Sequence, residues 1–316
     1  MGEEATEYFS KDFEWEEVRK QVENNSSYSH HFLPFEPSSS SSLSNDSKAW
    51  ESFHNRHSTG KFFKERRYLL KEFPELLHCD EHSKVLEVGC GNGSTVLPIL
   101  RGNQGVVVYA CDCSSEALER AKEMISTCDK DSYNQRFHPF VCNFSQNRFP
   151  NWMICNYCRD SSMNKSIKCI AGHSENAKTD SVESSYLKQS QCCIGGVDFV
   201  TLIFTLSAVE SQSMPAAIME CISTLKPGGL LLFRDYGLYD MTMLRFDPNK
   251  RVGFREYMRS DGTRSYFFSL DTVRELFLSA GFIELELEYC CVKSVNRRKG
   301  KTMHRVWVHG KFQKPI

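Results

Sequence analysis

The sequence predicts an α/β fold built on a doubly wound, mostly parallel sheet of seven strands, with an antiparallel strand at its C-terminal end. Three observations lead to this prediction. Apolar runs of strand length alternate with segments of helix length from residue 84 onward, which is typical of βαβ units. A glycine-rich loop directly follows the first of these strands, and an aspartate ends the second. The 316 residues, of which 25% are charged, suit one large domain with extensions.

The predicted elements follow one another in a regular order. Strands are predicted at 84–88, 106–111, 137–142, 197–206 and 230–234, and residues 282–291 with 303–312 are predicted to close the sheet as a hairpin. Helices are predicted at 94–100, 114–124, 215–225 and 271–280. Ser114 offers an N-cap oxygen to the second helix, and Gly281 ends the last one.

Composition and charge exclude several classes of protein. The first twenty residues are acidic and contain neither the apolar core of a signal peptide nor the arginine-rich pattern of a transit peptide. The most apolar stretch, Val197 to Val209, is too short to cross a bilayer and contains Asp198. We therefore expect a cytoplasmic or nuclear protein with no membrane partner, whose fourteen cysteines are thiols or metal ligands rather than disulfides.

Charge is distributed unevenly, although the formal net charge is only -1. Residues 1–48 contain ten acidic and four basic residues and a run of five serines, which predicts a mobile tail outside the fold. Residues 54–71 and 292–316 are basic and include aromatic side chains, which favours a nucleic-acid surface over a merely solvated face. The predicted organisation is thus an acidic tail (1–48), a basic extension (49–78) and a domain (79–316) with a polar insertion at 151–196.

A cofactor loop is the strongest local pattern. Glycines 89, 91 and 93 follow the first strand, and Asp112 ends the second, nineteen residues after Gly93. Glycines there let the backbone approach a ligand at a helix N-terminus, and a carboxylate at that place accepts ribose hydroxyls. A dinucleotide fingerprint needs Gly or Ala at the position of Ser94. The spacing instead resembles motif I of class I methyltransferases, which have a Rossmann-like fold and use S-adenosylmethionine. The sequence Leu225–Gly229 resembles another landmark of that superfamily, and NAD is the alternative cofactor.

The loop after the fourth strand limits the chemistry. It reads Thr205-Leu206-Ser207-Ala208, without the Asn/Asp-Pro-Pro-aromatic tetrad that methylases of exocyclic amines place there. It also lacks the cysteine nucleophile that methylation of cytosine C5 requires. The sequence indicates neither of these two reactions.

Further motifs identify a family. The segments Trp50–Phe53, Phe233–Gly237 and Asp261–Arg264 closely resemble those of the tRNA 3-methylcytidine methyltransferases, the methyltransferase-like 2/6/8 group, and the resemblance extends from Trp50 to the C-terminus apart from the insertion. The resemblance implies S-adenosylmethionine-dependent methylation of cytidine N3 at tRNA position 32, in the anticodon loop. That nitrogen has an in-plane lone pair and no proton at neutral pH, so it attacks the methyl group directly.

The resemblance also implies roles for single residues, and the extension 49–78 is implied to contact tRNA and cofactor. Cofactor contacts are expected at Trp50, His54, Gly89, Gly91, Asp112, Asn143 and Ile203. His54 and Asn143 stand where the family often has Tyr and usually has Asp. The expected catalytic residues are Asp235, Tyr236 and Arg264. The expected tRNA contacts are Arg56, Lys64, Arg66, Phe204, Arg245, Phe267 and Arg298.

These roles rest on different arguments. Asp235 leaves the fifth strand at the edge where ligands bind, so it is expected to hold the cytosine N4 amine and to balance the cationic product; a strand-end cap is the alternative. Tyr236, Phe204 and Phe267 are expected to stack on a base that has left its neighbours, with packing in the core as the alternative. The arginines and lysine are expected to bind phosphates.

The insertion and the partners leave alternatives open. Within 151–196, Cys155, Cys158, Cys169 and His173 have the types and spacings of zinc ligands, whereas the polar, serine-rich surroundings favour a loop without metal. The resemblance implies Thr-, Arg- or Ser-accepting tRNA as partner, with seryl-tRNA synthetase as a helper in some members. A methyltransferase of a small molecule or protein and a non-catalytic cofactor-binding subunit are the alternative functions.

Overall fold

The computed structural model describes residues 11–35, 46–57, 65–128, 133–159, 192–296 and 300–316. Its main sheet has seven strands. In chain order they are β1 (Lys84–Val88), β2 (Val107–Asp112), β3 (Phe137–Val141), β4 (Val197–Ile203), β5 (Leu225–Tyr236), β9 (Ile283–Asn296) and β10 (Lys301–Gln313). Strands β6 (Arg251–Gly253), β7 (Glu256–Met258) and β8 (Arg264–Tyr266) form a separate small sheet.

Eight α-helices of the described residues have defined bounds. They are α1 (Trp15–Glu23), α2 (Asp46–Arg56), α3 (Leu69–Glu72), α4 (Glu75–His78), α5 (Val96–Gly102), α6 (Ser115–Cys128), α7 (Met214–Thr224) and α8 (Leu270–Ser279). Pro215 stands in the first turn of α7, where its missing N–H leaves no helical hydrogen bond unmade. The Ser269 hydroxyl accepts a hydrogen bond from Thr272 N–H and caps α8. No helix of the described residues is both long and apolar enough to span a membrane.

The strand order of the main sheet is β3-β2-β1-β4-β5-β10-β9. Neighbours from β3 to β5 are parallel, and β10 is antiparallel to both β5 and β9. The chain leaves β1 toward one edge of the sheet and returns through β4 toward the other, which creates a crevice at the carboxyl ends of these strands. Two buried apolar clusters pack around the sheet, as expected for strands such as β4 that are mostly apolar and buried along most of their length. The predicted fold class is confirmed.

The small sheet is a feature that the sequence did not predict. Strands β6, β7 and β8 lie between β5 and α8 and form an antiparallel meander. Each has three residues, which is too short to show an alternating pattern. Two boundaries also differ from the prediction. The first predicted helix begins at Val96 rather than Ser94, and β5 begins at Leu225 rather than Leu230.

The prediction that residues 1–48 form a mobile tail outside the fold is wrong for residues 11–35. Helix α1 packs Val18 and Val22 against Tyr239, Met243 and other side chains of a third apolar cluster. The indole ring of Trp15 stacks on Tyr289 with the ring centroids 4.6 Å apart. The acidic residues of this segment suited a solvated tail, but its apolar residues lie on one face of a helix and are covered.

Candidate active site

A cavity of about 600 Å³ opens at the carboxyl edge of the main sheet. The residues around it come from the ends of five strands, because parallel strands all end at the same edge. Gly89 follows β1, Asp112 ends β2, Asn143 follows β3, Ile203 ends β4 and Tyr236 ends β5. Helix α2 supplies a further wall with Trp50, Phe53 and His54.

The glycine loop forms the floor of one end of this cavity. Gly89 and Gly91 have φ angles of +68° and +52°, a conformation that residues with a Cβ rarely adopt. A Cβ on Gly89 would collide with the Thr205 methyl group and lie 2.7 Å from its Oγ1. Thr205 cannot easily move, because its hydroxyl donates a hydrogen bond to Val88 O at 2.9 Å. The loop therefore requires glycine at position 89.

Asp112 is held in place by backbone donors. Its Oδ2 accepts a hydrogen bond from Gly91 N–H and its Oδ1 accepts one from Ser114 N–H, both at 2.9 Å. The carboxylate is nearly buried and lies in the wall of the cavity. Each oxygen retains a lone pair, so the group is able to accept hydrogen bonds from the two hydroxyls of a ribose.

Helix α2 and the loop after β3 close this end from above. The buried His54 has a pKa below its ordinary value because burial disfavours the imidazolium, although Asp112 opposes this effect. Asn143 Nδ2 donates to Ser47 Oγ at 2.8 Å, and its Oδ1 accepts from the Ser145 hydroxyl at 2.7 Å. The Asn143 amide is therefore oriented by α2 and by its own loop.

All seven residues expected at a cofactor lie in the lining of this one cavity: Trp50, His54, Gly89, Gly91, Asp112, Asn143 and Ile203. The fit to S-adenosylmethionine rests on two observations. The loop that follows β1 has no room for a Cβ at position 89 and lines the cavity with backbone, and a fixed carboxylate ends β2 beside that loop. A nucleoside with its ribose on Asp112 suits this donor and acceptor set.

The other end of the cavity is aromatic. Phe204 directly follows β4 with a φ of +57°, a strained conformation for a residue with a bulky side chain. Its ring centroid lies 5.1 Å from that of Tyr236 and 6.1 Å from that of Trp307. All three rings line the cavity. The faces of the Phe204 and Tyr236 rings are surfaces on which a planar base is able to stack.

Cationic groups surround this aromatic surface. The Arg66 guanidinium lies 4.9 Å from the Phe204 ring centroid, and the Arg305 guanidinium lies 5.3 Å from that of Trp307. Arg66 Nη1 and Trp307 Nε1 are buried and have no hydrogen-bond partner within the described residues. Two unpaired donors beside these rings are suited to an acceptor-bearing base or a phosphate.

Asp235 does not line the cavity that the described residues form. It is fully buried, its Oδ2 accepts a hydrogen bond from Ser207 N–H, and its Oδ1 accepts one from Tyr236 N–H, each at 2.8 Å. Burial raises the pKa of this carboxyl to about 6 in spite of these hydrogen bonds. The geometry favours the strand-end cap over contact with the cytosine amine, so Asp235 is a positioning residue for Ser207 and Tyr236.

Two further predicted roles disagree with the structure. Arg264 lines the cavity, but its guanidinium is paired with Asp46 and Glu256 at 3.0 Å and with Glu210 at 3.6 Å. It joins α2 to the small sheet and is not available to a phosphate. Phe267 is fully buried in the third apolar cluster and belongs to the core rather than to a stacking surface.

The remaining predicted contacts lie elsewhere. Arg56 is exposed and donates a hydrogen bond to Asp261 O at 3.4 Å. Arg245 is exposed and lies, with Arg259, in a second groove of about 310 Å³. Because Arg259 lines both spaces, this groove adjoins the main cavity. Lys64, Arg298, Cys169 and His173 lie outside the described residues.

Sequence reasoning did not select Trp307, Arg305 or Arg259. Trp307 pairs with Tyr236 across β10 and β5, so it reaches the cavity only because the C-terminal hairpin joins the sheet at β5. Arg305 is two residues earlier on β10, and its Nε donates to the buried Asp240 at 2.8 Å. The sequence shows that residues 292–316 are basic and contain an aromatic side chain, but it does not show which strand this segment pairs with.

Comparison with known proteins decides the family. A family model described as a methyltransferase domain matches residues 62–286. The chain is 35% identical over 272 residues to the human tRNA N(3)-cytidine methyltransferase METTL6, which covers 85% of this chain and 80% of that protein. It is 34% identical over 277 residues to the Drosophila melanogaster tRNA N(3)-methylcytidine methyltransferase Mettl2, with 85% and 71% covered. The chain belongs to the tRNA N(3)-cytidine methyltransferase family.

Membership of this family confirms the resemblance, the enzyme class and S-adenosylmethionine as cofactor, and it excludes the NAD alternative. A solved structure with the same fold is the 1,6-didemethyltoxoflavin-N1-methyltransferase of Burkholderia thailandensis with bound S-adenosylhomocysteine. Its TM-score is 0.52 at 11% identity, and the match covers 90% of this chain and 95% of that one. At this identity the likeness describes the fold alone.

Proposed function

We propose that the chain methylates N3 of the cytidine at position 32 in the tRNA anticodon loop. One observation carries this proposal: the glycine-loop end and the aromatic, cationic end belong to a single cavity. The two reacting groups are then brought together by the shape of the site. Holding two reactants in one geometry supplies a large part of a catalytic rate.

The aromatic end suits a cytosine that has left its stack. Phe204 and Tyr236 offer ring faces, and stacking on such faces offsets the free energy of unstacking a loop base. Cytosine O2 is an acceptor beside N3, which matches the unpaired donors Arg66 Nη1 and Trp307 Nε1. The stacked base is then fixed in its plane by these two donors.

The reaction needs alignment more than proton transfer. When bound, S-adenosylmethionine supplies a methyl group on a sulfonium sulfur. The in-plane N3 lone pair forms the new bond to carbon while the carbon–sulfur electron pair leaves with sulfur, and the positive charge passes to the cytosine ring. No base has to remove a proton, because N3 is unprotonated at neutral pH. The site must therefore orient N3 and tolerate a cationic ring.

Negative charge beneath the aromatic surface favours that cation. Asp235, with a pKa of about 6, is mostly ionised at pH 7.5 and is adjacent in the chain to Tyr236, which lines the cavity. In a buried site a fixed carboxylate acts through its field without touching the ring. Asp235 thus has two positioning effects, one on the backbone of Ser207 and Tyr236 and one on the charge of the product.

The tRNA backbone is proposed to follow the second groove. Arg245, Lys250 and Arg259 surround it, and the last also lines the main cavity. Phosphates beside the flipped cytidine are recognised by such cations with little sequence preference. Thr-, Arg- or Ser-accepting tRNA is the proposed partner class, with an accessory protein such as seryl-tRNA synthetase for the last.

The thirteen cysteines within the described residues are all free, which supports a cytoplasmic or nuclear location.

Incubation of the purified protein with total tRNA and labelled S-adenosylmethionine tests the proposal. Nucleoside analysis should find the label in 3-methylcytidine. The Trp307→Leu and Arg66→Met variants should lose most of this activity. The Kd of Trp307→Leu for S-adenosylmethionine should stay within about twofold, because Trp307 lies at the aromatic end. Label in another nucleoside would contradict the proposed reaction, and full activity of both variants would contradict the proposed base site.

A further inference from the structure

Four cysteine thiols lie together outside the active-site cavity. Cys155 and Cys158 flank the start of a helical turn at 156–159, and Cys192 and Cys193 come shortly before β4 begins at Val197. All four Sγ atoms lie within 4.8 Å of one another. The cluster is therefore near the amino end of β4, whereas the cavity lies at the carboxyl ends of the strands.

The sulfur positions fit a tetrahedron. Cys192 Sγ lies 3.4 Å from Cys155 Sγ, 3.5 Å from Cys158 Sγ and 3.9 Å from Cys193 Sγ, and Cys158 Sγ lies 3.7 Å from Cys193 Sγ. A tetrahedral zinc ion with Zn–S bonds of about 2.3 Å places its sulfurs about 3.8 Å apart. A disulfide requires about 2.05 Å. The separations correspond to four ligands around one ion.

Backbone donors support the sulfurs as they do in metal sites. Cys158 N–H donates a hydrogen bond to the Cys155 sulfur, and Gly195 N–H donates one to Cys193 Sγ at 3.4 Å. Gly195 has a φ of +76°, so the turn that makes this second contact is one that glycine adopts without strain. Such outer contacts fix the ligand orientation and disperse thiolate charge.

The fold holds the two cysteine pairs together through other residues. Arg159 forms a salt bridge with Glu220 at 2.8 Å and donates to the Ser223 hydroxyl, both on α7. On the other side, Ile194 N–H donates to Trp152 O at 2.8 Å and Gly196 N–H donates to Met153 O at 3.2 Å. The thiols are thus brought into reach of one another by main-chain and ion-pair contacts that involve no thiol.

We propose that Cys155, Cys158, Cys192 and Cys193 bind one structural zinc ion. Binding displaces the thiol protons and leaves a complex with a net charge of -2, since four thiolates surround one Zn²⁺. Lys84 Nζ donates to Ile194 O at 2.5 Å, so a cation lies beside the residue that follows Cys193. Protein sulfurs fill all four positions, which is the arrangement of a structural site and leaves no place for a reacting water.

The ligand set differs from the one that the sequence suggested. Spacing alone grouped Cys155 and Cys158 with Cys169 and His173, which lie outside the described residues. The structure instead pairs them with Cys192 and Cys193. An ion there joins the two ends of the segment 159–191, so its role is to close the insertion onto the start of β4.

Metal analysis of the full chain tests this site. Protein purified under reducing conditions should contain about one zinc per chain, and so should the Cys128→Ser variant, whose exposed thiol lies outside the cluster. The Cys158→Ser/Cys192→Ser double variant should contain less than about a tenth of this amount. The idea is overturned if the parent protein stays free of zinc after incubation with zinc chloride and gel filtration, or if the double variant retains it.

A second measurement does not depend on the folding of a variant. Parent protein reconstituted with Co²⁺ should show the visible absorption and thiolate-to-cobalt charge transfer of a tetrahedral tetrathiolate site. Absence of both bands, or an intact mass under non-reducing conditions that shows two disulfides, contradicts the proposal. Binding of S-adenosylmethionine to the folded double variant is expected to remain within about twofold, which separates this site from the proposed methylation.

Discussion

Replacing Gly89 by alanine should disrupt the cofactor loop more than the same change at Gly91 or Gly93, where a Cβ would meet no atom closer than 3.2 Å. The φ of +68° costs alanine about 1–2 kcal/mol. The new Cβ would also collide with Thr205. Moving Thr205 breaks its buried hydrogen bond to Val88 O, which costs about a further 1–3 kcal/mol. We expect a total loss of about 2–5 kcal/mol in the free energy of unfolding.

Gly300 provides the matched control. Its φ is +60°, and a Cβ there would meet no atom within 4 Å among the described residues. Gly300→Ala should therefore show only the backbone cost of about 1–2 kcal/mol. Urea unfolding measures both variants, and calorimetric titration should show a Kd for S-adenosylmethionine at least about tenfold higher for Gly89→Ala, equivalent to about 1.4 kcal/mol.

A double-mutant cycle isolates the collision. Thr205→Ala removes the methyl and hydroxyl groups that the new Cβ would meet. The loss for Gly89→Ala/Thr205→Ala should therefore be smaller than the sum of the two single losses. The reasoning is refuted if Gly89→Ala unfolds like Gly300→Ala and binds S-adenosylmethionine as tightly as the parent protein, or if the two single losses simply add.

Three other predictions concern charge and packing. Burial raises the pKa of Glu87 from 4.5 to about 7, so the free energy of unfolding of the parent protein should fall by about 3 kcal/mol as the pH rises from 4.5 to 7. Urea unfolding at several pH values should show that Glu87→Gln lacks this part of the pH dependence. An equal pH dependence in both proteins would contradict the raised pKa. Arg264→Ala leaves the buried Glu256 without its cation and should lower the free energy of unfolding by about 3–5 kcal/mol. Arg245→Ala removes an exposed charge, so it should leave the melting temperature unchanged and reduce the slope of log K for tRNA binding against log salt concentration by about 1. A destabilised Arg245→Ala together with a stable Arg264→Ala would refute both roles. Trp15→Ala removes the ring stacked on Tyr289 and should lower the free energy of unfolding by about 2–3 kcal/mol, which is below the full value for a buried tryptophan because Trp15 is only partly buried. An unchanged free energy of unfolding in urea would mean that α1 does not dock.

Local patterns predicted the cofactor end of the site well. The loop 89–93 and Asp112 are adjacent to strands that read as apolar runs, and parallel strands all end at one edge. Asn143 and Ile203 were expected at the cofactor from the family resemblance, and both lie at the same edge of the sheet. The structure brings these residues and α2 together around one cavity.

The aromatic end depended on long-range register. Trp307 faces Tyr236 because β10 pairs with β5, and no local pattern states which strand a C-terminal hairpin joins. Asp235 stands at the expected place, but its two oxygens are used by backbone donors, which the sequence alone does not show. Arg264 and Phe267 were interpreted by residue type, whereas their partners are set by the unpredicted small sheet and its core.

Two other features were missed for different reasons. Trp15, Val18 and Val22 are spaced at i, i+3 and i+7, which is a helical face, but the acidic residues between them favoured a solvated tail. Cys158 and Cys192 are separated by the whole segment 159–191, so spacing rules for metal ligands gave no reason to group them. The hydrogen bonds of Trp152 and Met153 to the residues before β4 and the salt bridge of Arg159 with Glu220 bring these thiols together.

The most direct test of the account is the position that the enzyme methylates. A tRNA transcript with cytidine at position 32 should be converted to a product whose 3-methylcytidine maps to that position. The same transcript with uridine at position 32 should accept no methyl group. Equal methylation of both transcripts, or modification at another nucleotide, would contradict the proposal that this cavity selects the anticodon-loop cytidine.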